Sequence, residues 1–208
     1  MNFSKQKNIL RKNLESLGIS DQNVLAAIEN VPREQFVSSD LETMSYTNLD
    51  ISLNKDQILY QPYITAFMCE AAQITTSDIV LEIGTGTGYQ TSVIAQLCKQ
   101  VFSVELIPEL GNHAFQKIKE LGYNNIHIDI ASGLKRHKSR KKFDAIIVTT
   151  APSEVPEILI SQLKINGRLI VPTKTGEIQE LFRIIKTKHG IVRESFFNVN
   201  FVPMLDDK

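Results

Sequence analysis

Three glycines at alternate positions, Gly84, Gly86 and Gly88, interrupt an apolar run that begins at Val80, and helix-forming residues resume from Tyr89 to Leu97. An acid, Glu82, opens the turn. This order reads as strand, tight turn, helix, the unit in which α/β proteins hold a nucleotide-like ligand. Glycines suit it because the turn needs dihedral angles closed to residues with side chains, and because the backbone must approach the ligand closely. A dinucleotide fingerprint is spaced G-x-G-x-x-G, whereas here the last two glycines stand one residue closer. With no pyrophosphate to seat on a helix N-terminus, an acid followed by G-x-G-x-G fits S-adenosylmethionine better than a nicotinamide dinucleotide. The loop residues expected at that ligand are Glu82, Gly84, Thr85, Gly86, Gly88 and Gln90. The bland alternative is a glycine-rich turn that holds nothing; residues downstream weigh against it.

Glu105 is one of them: it ends the next expected strand, 21 positions after Gly84. An acid at that strand tip can accept from both hydroxyls of a ribose. The competing reading is a strand-end carboxylate facing solvent. Leu106 and Ile107 beside it would flank an adenine. The turn after the third strand reads Ile130-Ala131-Ser132-Gly133, where methyltransferases of this design commonly carry an Asp for the adenine amino group. Ser132 can still accept there, with Gly133 alongside, but a neutral acceptor is worth about half a charged one. Weaker cofactor binding is expected, not its loss. The fourth strand runs into Val148-Thr149-Thr150-Ala151-Pro152. Either threonine could face a transferable methyl group at the strand's carboxyl end, or the turn could simply cap the following helix.

These residues need a scaffold, and the pattern around them supplies one. Apolar residues at helical spacing predict a helix from Phe3 to Leu17, ended by Gly18. A second, capped by Ser20 or Asp21, turns Val24, Leu25, Ile28 and Val31 inward before Pro32. Residues 38–60 read as loop with short elements, and a third helix starts near Pro62. From Asp78, strands are expected at Ile79–Ile83, Val101–Glu105, Ile126–Ile130, Ala145–Val148 and Arg168–Pro172. Helices are expected at Tyr89–Cys98, Pro108–Leu121 and Val155–Leu163. Apolar strands alternating with helices imply a parallel sheet covered on both faces. Glu180–Lys186 and Phe197–Phe201, flanking the turn His189-Gly190, predict a closing antiparallel pair. The fold expected is therefore α/β: a Rossmann-like, doubly wound, mostly parallel sheet with a C-terminal antiparallel strand pair and an N-terminal helical cap. One domain is expected, with residues 1–77 as cap and substrate loop and 78–208 as the cofactor core.

Charge and composition exclude several classes. Lys plus Arg and Asp plus Glu balance at 23 each, so no global field draws the chain to nucleic acid or a membrane surface. The basic run Lys135 to Lys142 reads first as a solvated loop and second as a patch for an acidic partner. Cys69 and Cys98 sit in apolar helical settings and read as small buried hydrophobes in a reducing compartment, with no disulfide or metal centre expected. No apolar run reaches spanning length and the N-terminus lacks a signal-peptide core, so a cytoplasmic protein is expected; a monomer is expected as well.

Nearly end to end, the chain resembles the protein-L-isoaspartate O-methyltransferases. The resemblance is carried by Val31-Pro32-Arg33-Glu34-Gln35-Phe36-Val37, Gln61-Pro62-Tyr63, the glycine loop ending in Gly88-Tyr89-Gln90, and Ser103 to Leu110. It continues through Leu121 to Ile126, Phe143 to Pro156, Gly167 to Pro172 and Phe201-Val202-Pro203. The resemblance implies cytoplasmic enzymes that use S-adenosyl-L-methionine to methylate the free carboxylate of isoaspartyl residues in damaged proteins and peptides, starting a repair through succinimide. Before Gln61-Pro62 such enzymes carry glycines and then G-Q-T-I-S, a loop whose Ser contacts the substrate carboxylate. Here the stretch is Asn54-Lys55-Asp56-Gln57-Ile58-Leu59-Tyr60, so Tyr60 stands at the Ser position and Asp56 adds a negative charge. Asn200 replaces the usual Arg of V-R-F-V-P. Tyr60, Gln57 and Thr149 are expected to face the substrate. The departures leave two alternatives open: a methyltransferase with a changed acceptor, or a catalytically silent cofactor-binding relative.

Overall fold

Helical spacing and caps organise the N-terminal third. In a computed structural model describing residues 2–54, 57–135, 137 and 140–205, α1 spans Ser4–Ser16 and α2 spans Gln22–Asn30. The cap of α2 is Asp21, whose carboxylate accepts from Asn23 N at 2.8 Å and Val24 N at 3.3 Å. Leu10 and Leu14 of α1 bury against Val24, Leu25 and Ile28 of α2. Short 3-10 turns follow at Arg33–Phe36 and Glu42–Met44, then an antiparallel hairpin of β1 (Ile51–Asn54) and β2 (Gln57–Leu59). Helix α3 (Pro62–Ala71) begins on its proline, whose missing N–H is no loss in a first turn.

The remainder alternates as expected: β3 (Ile79–Ile83), α4 (Tyr89–Leu97), β4 (Gln100–Glu105), α5 (Pro108–Glu120), β5 (Ile126–Ile130), β6 (Phe143–Val148), α6 (Glu157–Gln162), β7 (Leu163–Thr175), β8 (Ile178–Thr187) and β9 (Gly190–Val199). The seven strands lie in the order β5-β4-β3-β6-β7-β8-β9. Pairing is parallel from β5 to β7 and antiparallel from β7 to β8 and β8 to β9. Side chains alternate between two cores: Val80, Val101, Ala145 and Ile147 join the cap helices and α4, while Leu81, Phe102, Ile146 and Val148 join Leu159 of α6. This is the Rossmann-like sheet read from the sequence.

The largest departures from the expected boundaries fall in three elements. The segment read as Arg168–Pro172 is a strand from Leu163 to Thr175, because β8 pairs with it out to Thr175↔Ile178 around a two-residue turn at Gly176-Glu177. The last strand starts at Gly190 instead of Phe197 and stops at Val199. Its polar-interrupted first half, Arg193-Glu194-Ser195, concealed a ladder that main-chain pairing to β8 supplies. Helix α6 is shorter than Val155–Leu163, since Leu163 already pairs with Phe143. Asp56, and Arg136, Lys138 and Ser139 of the basic run, lie outside the described residues. Among the described residues no helix is long and apolar enough to cross a membrane.

Candidate functional site

The strand order reverses between β3 and β6, and such a switch point leaves a crevice beyond the carboxyl ends of the strands. A cavity of about 480 Å³ opens there. One wall is the glycine loop with Val104 to Ile107; the opposite wall comes from Gln57 to Tyr60 of the hairpin and Val202 to Leu205 of the tail. Thr149 and Thr150 border it between them.

Glu105 is almost fully buried yet borders the cavity. Its two oxygens divide their duties: one accepts from Gly86 N at 2.9 Å, the other from Ile107 N at 3.0 Å. An ionised carboxylate offers about four lone-pair sites, so acceptor capacity remains for a vicinal diol. Leu106, Ile107 and Leu110 supply apolar surface beside it. The residues present therefore suit an adenosyl group.

Two of the loop glycines are dictated by close neighbours. Gly84 has φ +95°, and a Cβ there would meet Thr149 Oγ1 at 2.3 Å. That hydroxyl lies 2.7 Å from Gly84 O and 3.0 Å from Ile83 O. Thr149 thus straps β6 to the loop, with its proton directed at the backbone and not at the cavity. Gly88 has φ +88°, and its missing side chain makes room for Ile118 of α5, 3.0 Å away from a Cβ, so it does not border the cavity.

Glu82 also stays away from the cavity. It has no exposed surface; one carboxylate oxygen accepts from Thr91 at 2.5 Å and Ser103 at 2.6 Å, and the other has no hydrogen-bond partner among the described residues. Ser103 in turn pairs with Thr85 at 2.6 Å, so a buried relay ties β3, β4, α4 and the loop together. Burial pushes the Glu82 carboxyl up to about 7, the two hydroxyls pull it down, and nearby Glu105 adds to the rise. The sequence placed this acid at the ligand, but strand alternation turns it beneath the loop.

Ser132 is likewise displaced. Its hydroxyl accepts from Leu134 N at 3.2 Å and it borders a separate hollow of about 190 Å³ with Asp129 and His137. Its neighbour Gly133 does border the main cavity, as do Thr85 and Gln90, the latter accepting from Thr65 at 3.3 Å.

On the far wall, Tyr60 packs on Phe201 with ring centroids 4.3 Å apart, and its hydroxyl accepts from Val202 N at 2.9 Å. Burial pushes its pKa up to about 12, against the lowering by the Val202 N–H, so it stays protonated at neutral pH. Gln57 borders the cavity beside it. The tail is sewn down by Ala151 N to Val202 O at 2.8 Å and Met204 N to Ala151 O at 2.9 Å. Sequence reasoning found Phe201-Val202-Pro203 and Gly88-Tyr89-Gln90 as motifs but not the place of the first over the cavity, nor that Tyr89, buried at the start of α4, borders it. Asn200, in place of the usual Arg, is exposed.

Residues 4–208 match the family model for protein-L-isoaspartate(D-aspartate) O-methyltransferase. A protein-L-isoaspartate O-methyltransferase of Gloeobacter violaceus is 41% identical over 94% of this chain and 96% of its own. Another, from Ignicoccus hospitalis, is 36% identical over 98% and 99%. Among solved structures, a Plasmodium falciparum protein described as a protein-L-isoaspartate O-methyltransferase, in complex with S-adenosyl-L-homocysteine, superposes with TM-score 0.85 at 25% identity, covering 97% of this chain and 99% of that one.

Proposed function

Because the chain belongs to the protein-L-isoaspartate O-methyltransferase family, we propose that its cavity brings S-adenosyl-L-methionine and an isoaspartyl side chain together between the glycine loop and the Tyr60 wall. The chain is a methyltransferase of isoaspartyl residues in proteins, an activity that serves repair. The observation that carries the cofactor assignment is Glu105, a buried carboxylate held by two backbone N–H groups with its remaining acceptor capacity at the cavity. Glu105 would accept from the ribose hydroxyls, Leu106 and Ile107 with Gly133 would enclose the adenine, and Gly84, Thr85 and Gly86 would face the methionine portion, with Gln90 nearby. When bound, the cofactor supplies an electrophilic methyl group on a sulfonium.

The protein's own task is placement. A carboxylate with reference pKa near 4 is already a nucleophile at neutral pH, so no general base is required. Tyr60, which accepts from Val202 and keeps its own proton, would donate to the acceptor carboxylate, with Gln57 beside it. The apolar tail and Leu59 would exclude water and so raise the carboxylate's reactivity. Alignment then supplies most of the acceleration. In this reading Glu82 and Gly88 shape the glycine loop from behind, Thr149 fixes it at the cavity's edge, and Ser132 holds the turn that carries Gly133. Residues 1–77 would act as cap and acceptor wall on a single domain. The charge balance and the two buried free cysteines support a cytoplasmic protein without nucleic-acid partners.

A labelled-methyl assay tests this. Base-labile methyl ester should form on an isoaspartyl peptide and not on the same peptide with ordinary aspartate; equal labelling of both, or none at saturating cofactor, rejects the assignment. One observation favours a second reading, an acceptor of altered shape: the Tyr60 ring occupies space that a Ser would leave and takes the Val202 N–H for itself. Higher isoaspartyl turnover in Tyr60→Ser than in the parent would support that reading.

A further inference from the structure

Arg33 belongs to neither wall of the cavity, yet it touches both. It stands in the first 3-10 turn, and none of its surface reaches solvent. Its Nη2 donates to Tyr60 O at 2.8 Å and lies 3.4 Å from Leu59 O. Its Cζ lies 4.6 Å from the ring centroid of Tyr89, the residue after Gly88 and the first of α4. Nε and Nη1 reach no carboxylate or carbonyl among the described residues, and the polar group they meet is the Tyr89 phenol. Burial lowers the guanidinium's pKa, and Tyr89 and Asp50 work against that lowering.

Stability alone is a poor reason to keep such a group. A buried cation with unsatisfied donors is costly, and apolar replacements of buried charges are often neutral or stabilising. Arg33 does have a geometry that no apolar residue reproduces: a flat cation whose edge reaches the carbonyls at the end of β2 and whose face lies on the ring that opens α4. We propose that Arg33 is a positioning residue for methyl transfer, clamping the Leu59–Tyr60 end of the acceptor wall onto Tyr89 so that acceptor and methyl donor are held in register. This rests on the reading of the cavity as a methyltransferase site. Lysine would keep the charge but neither the fork nor the stacking face.

Arg33→Lys and Arg33→Met test it in the full-length protein with an isoaspartyl peptide. Both variants should lose about 10- to 100-fold in kcat, as displacement of an acceptor by about an ångström would cause. S-adenosylhomocysteine affinity by calorimetry should stay within about twofold, because Arg33 makes no contact with Glu105 or with the Gly86 and Ile107 N–H groups that hold it. A parent-like kcat in Arg33→Lys would show that charge alone suffices and overturn the proposal. A loss of S-adenosylhomocysteine affinity in step with kcat would reduce Arg33 to general support of the fold and overturn it too. Should Arg33→Met not fold, Arg33→Lys alone decides. Hydrogen exchange gives a readout independent of the reaction: residues 57–61 should exchange about tenfold faster in the variants, and unchanged exchange refutes the clamp. If the parent methylates no isoaspartyl peptide, the family activity fails while the exchange result still judges Arg33.

Discussion

In the function proposed, a carboxylate and a phenol divide the chemistry of this cavity, and each can be probed separately. Glu105→Gln keeps the shape but replaces one acceptor oxygen with a donor, opposing either a backbone N–H or a ribose hydroxyl. Hydrogen bonds to a charged acceptor are worth about 1.5–3 kcal/mol, so calorimetry should find S-adenosylhomocysteine bound about 10- to 100-fold more weakly. Unchanged affinity would remove Glu105 from the ribose. Tyr60→Phe keeps the Phe201 packing and removes only the hydroxyl. The Michaelis constant for an isoaspartyl peptide should rise about tenfold with cofactor affinity unaltered; a parent-like value would take Tyr60 off the acceptor. The place of Glu105 was legible because a strand tip following a glycine loop sets it at the cavity. Glu82 was not, since alternation along a buried strand leaves open which face an acid takes. The signal that could have placed it was polar: Ser103 interrupts an apolar strand, and it and Thr91 are the hydroxyls that receive the carboxylate.

Between strand, loop and helix, Glu82 has a consequence for stability. Its carboxyl is pushed up from 4.5 to about 7 by burial, so the unfolded chain releases this proton at lower pH than the folded one. Stability from this group is therefore greatest below about pH 4.5 and declines as pH rises to about 7, by roughly 3 kcal/mol in full. Glu82→Gln should flatten that decline, measured by urea unfolding at pH 5 and pH 7.5; an identical pH dependence in parent and variant would contradict the buried relay. Elements with one repeated signal were legible: the apolar strands of the parallel half and the capped helix after Asp21. The hairpin β8–β9 was only half legible, because its outer strand is polar and its order comes from main-chain pairing to a neighbour. The second wall of the cavity was only half readable: the family resemblance turned Gln57 and Tyr60 toward it, but nothing local joined them to the tail. It joins residues 57–60 to residues 202–205 through Tyr60 and Val202, a contact across 142 positions that no local pattern encodes.

At the scale of the molecule, Arg168 fastens the cap to the sheet. From β7 it donates to Ala72 O and Gln73 O at 2.7 Å each, to Asp144 O at 3.0 Å, and to Asp78 at 2.8 Å. Burial would raise the Asp78 carboxyl, but Arg168 and Thr75 outweigh it and hold it below its ordinary value. Stability from Asp78 is thus present at neutral pH and lost as pH falls below the usual carboxylate range. Asp78→Asn should cost about 1–3 kcal/mol at pH 7, and the deficit should shrink below about pH 4, both read from thermal unfolding. A deficit equal at both pH values would show that the pairing is not what matters. The joint holds α3, and through it the Gln61–Pro62 corner after Tyr60, at a fixed distance from β3 and the glycine loop. One chain therefore presents two walls to one cavity, which is what transfer between two bound molecules needs.

The most direct test is a crystal structure with S-adenosylhomocysteine and an isoaspartyl peptide both bound. The expected result is a ribose diol within hydrogen-bonding distance of Glu105 and the isoaspartyl carboxylate beside Tyr60, in line with the sulfur. A nucleoside seated elsewhere, or Glu105 turned away from it at full occupancy, would contradict the account.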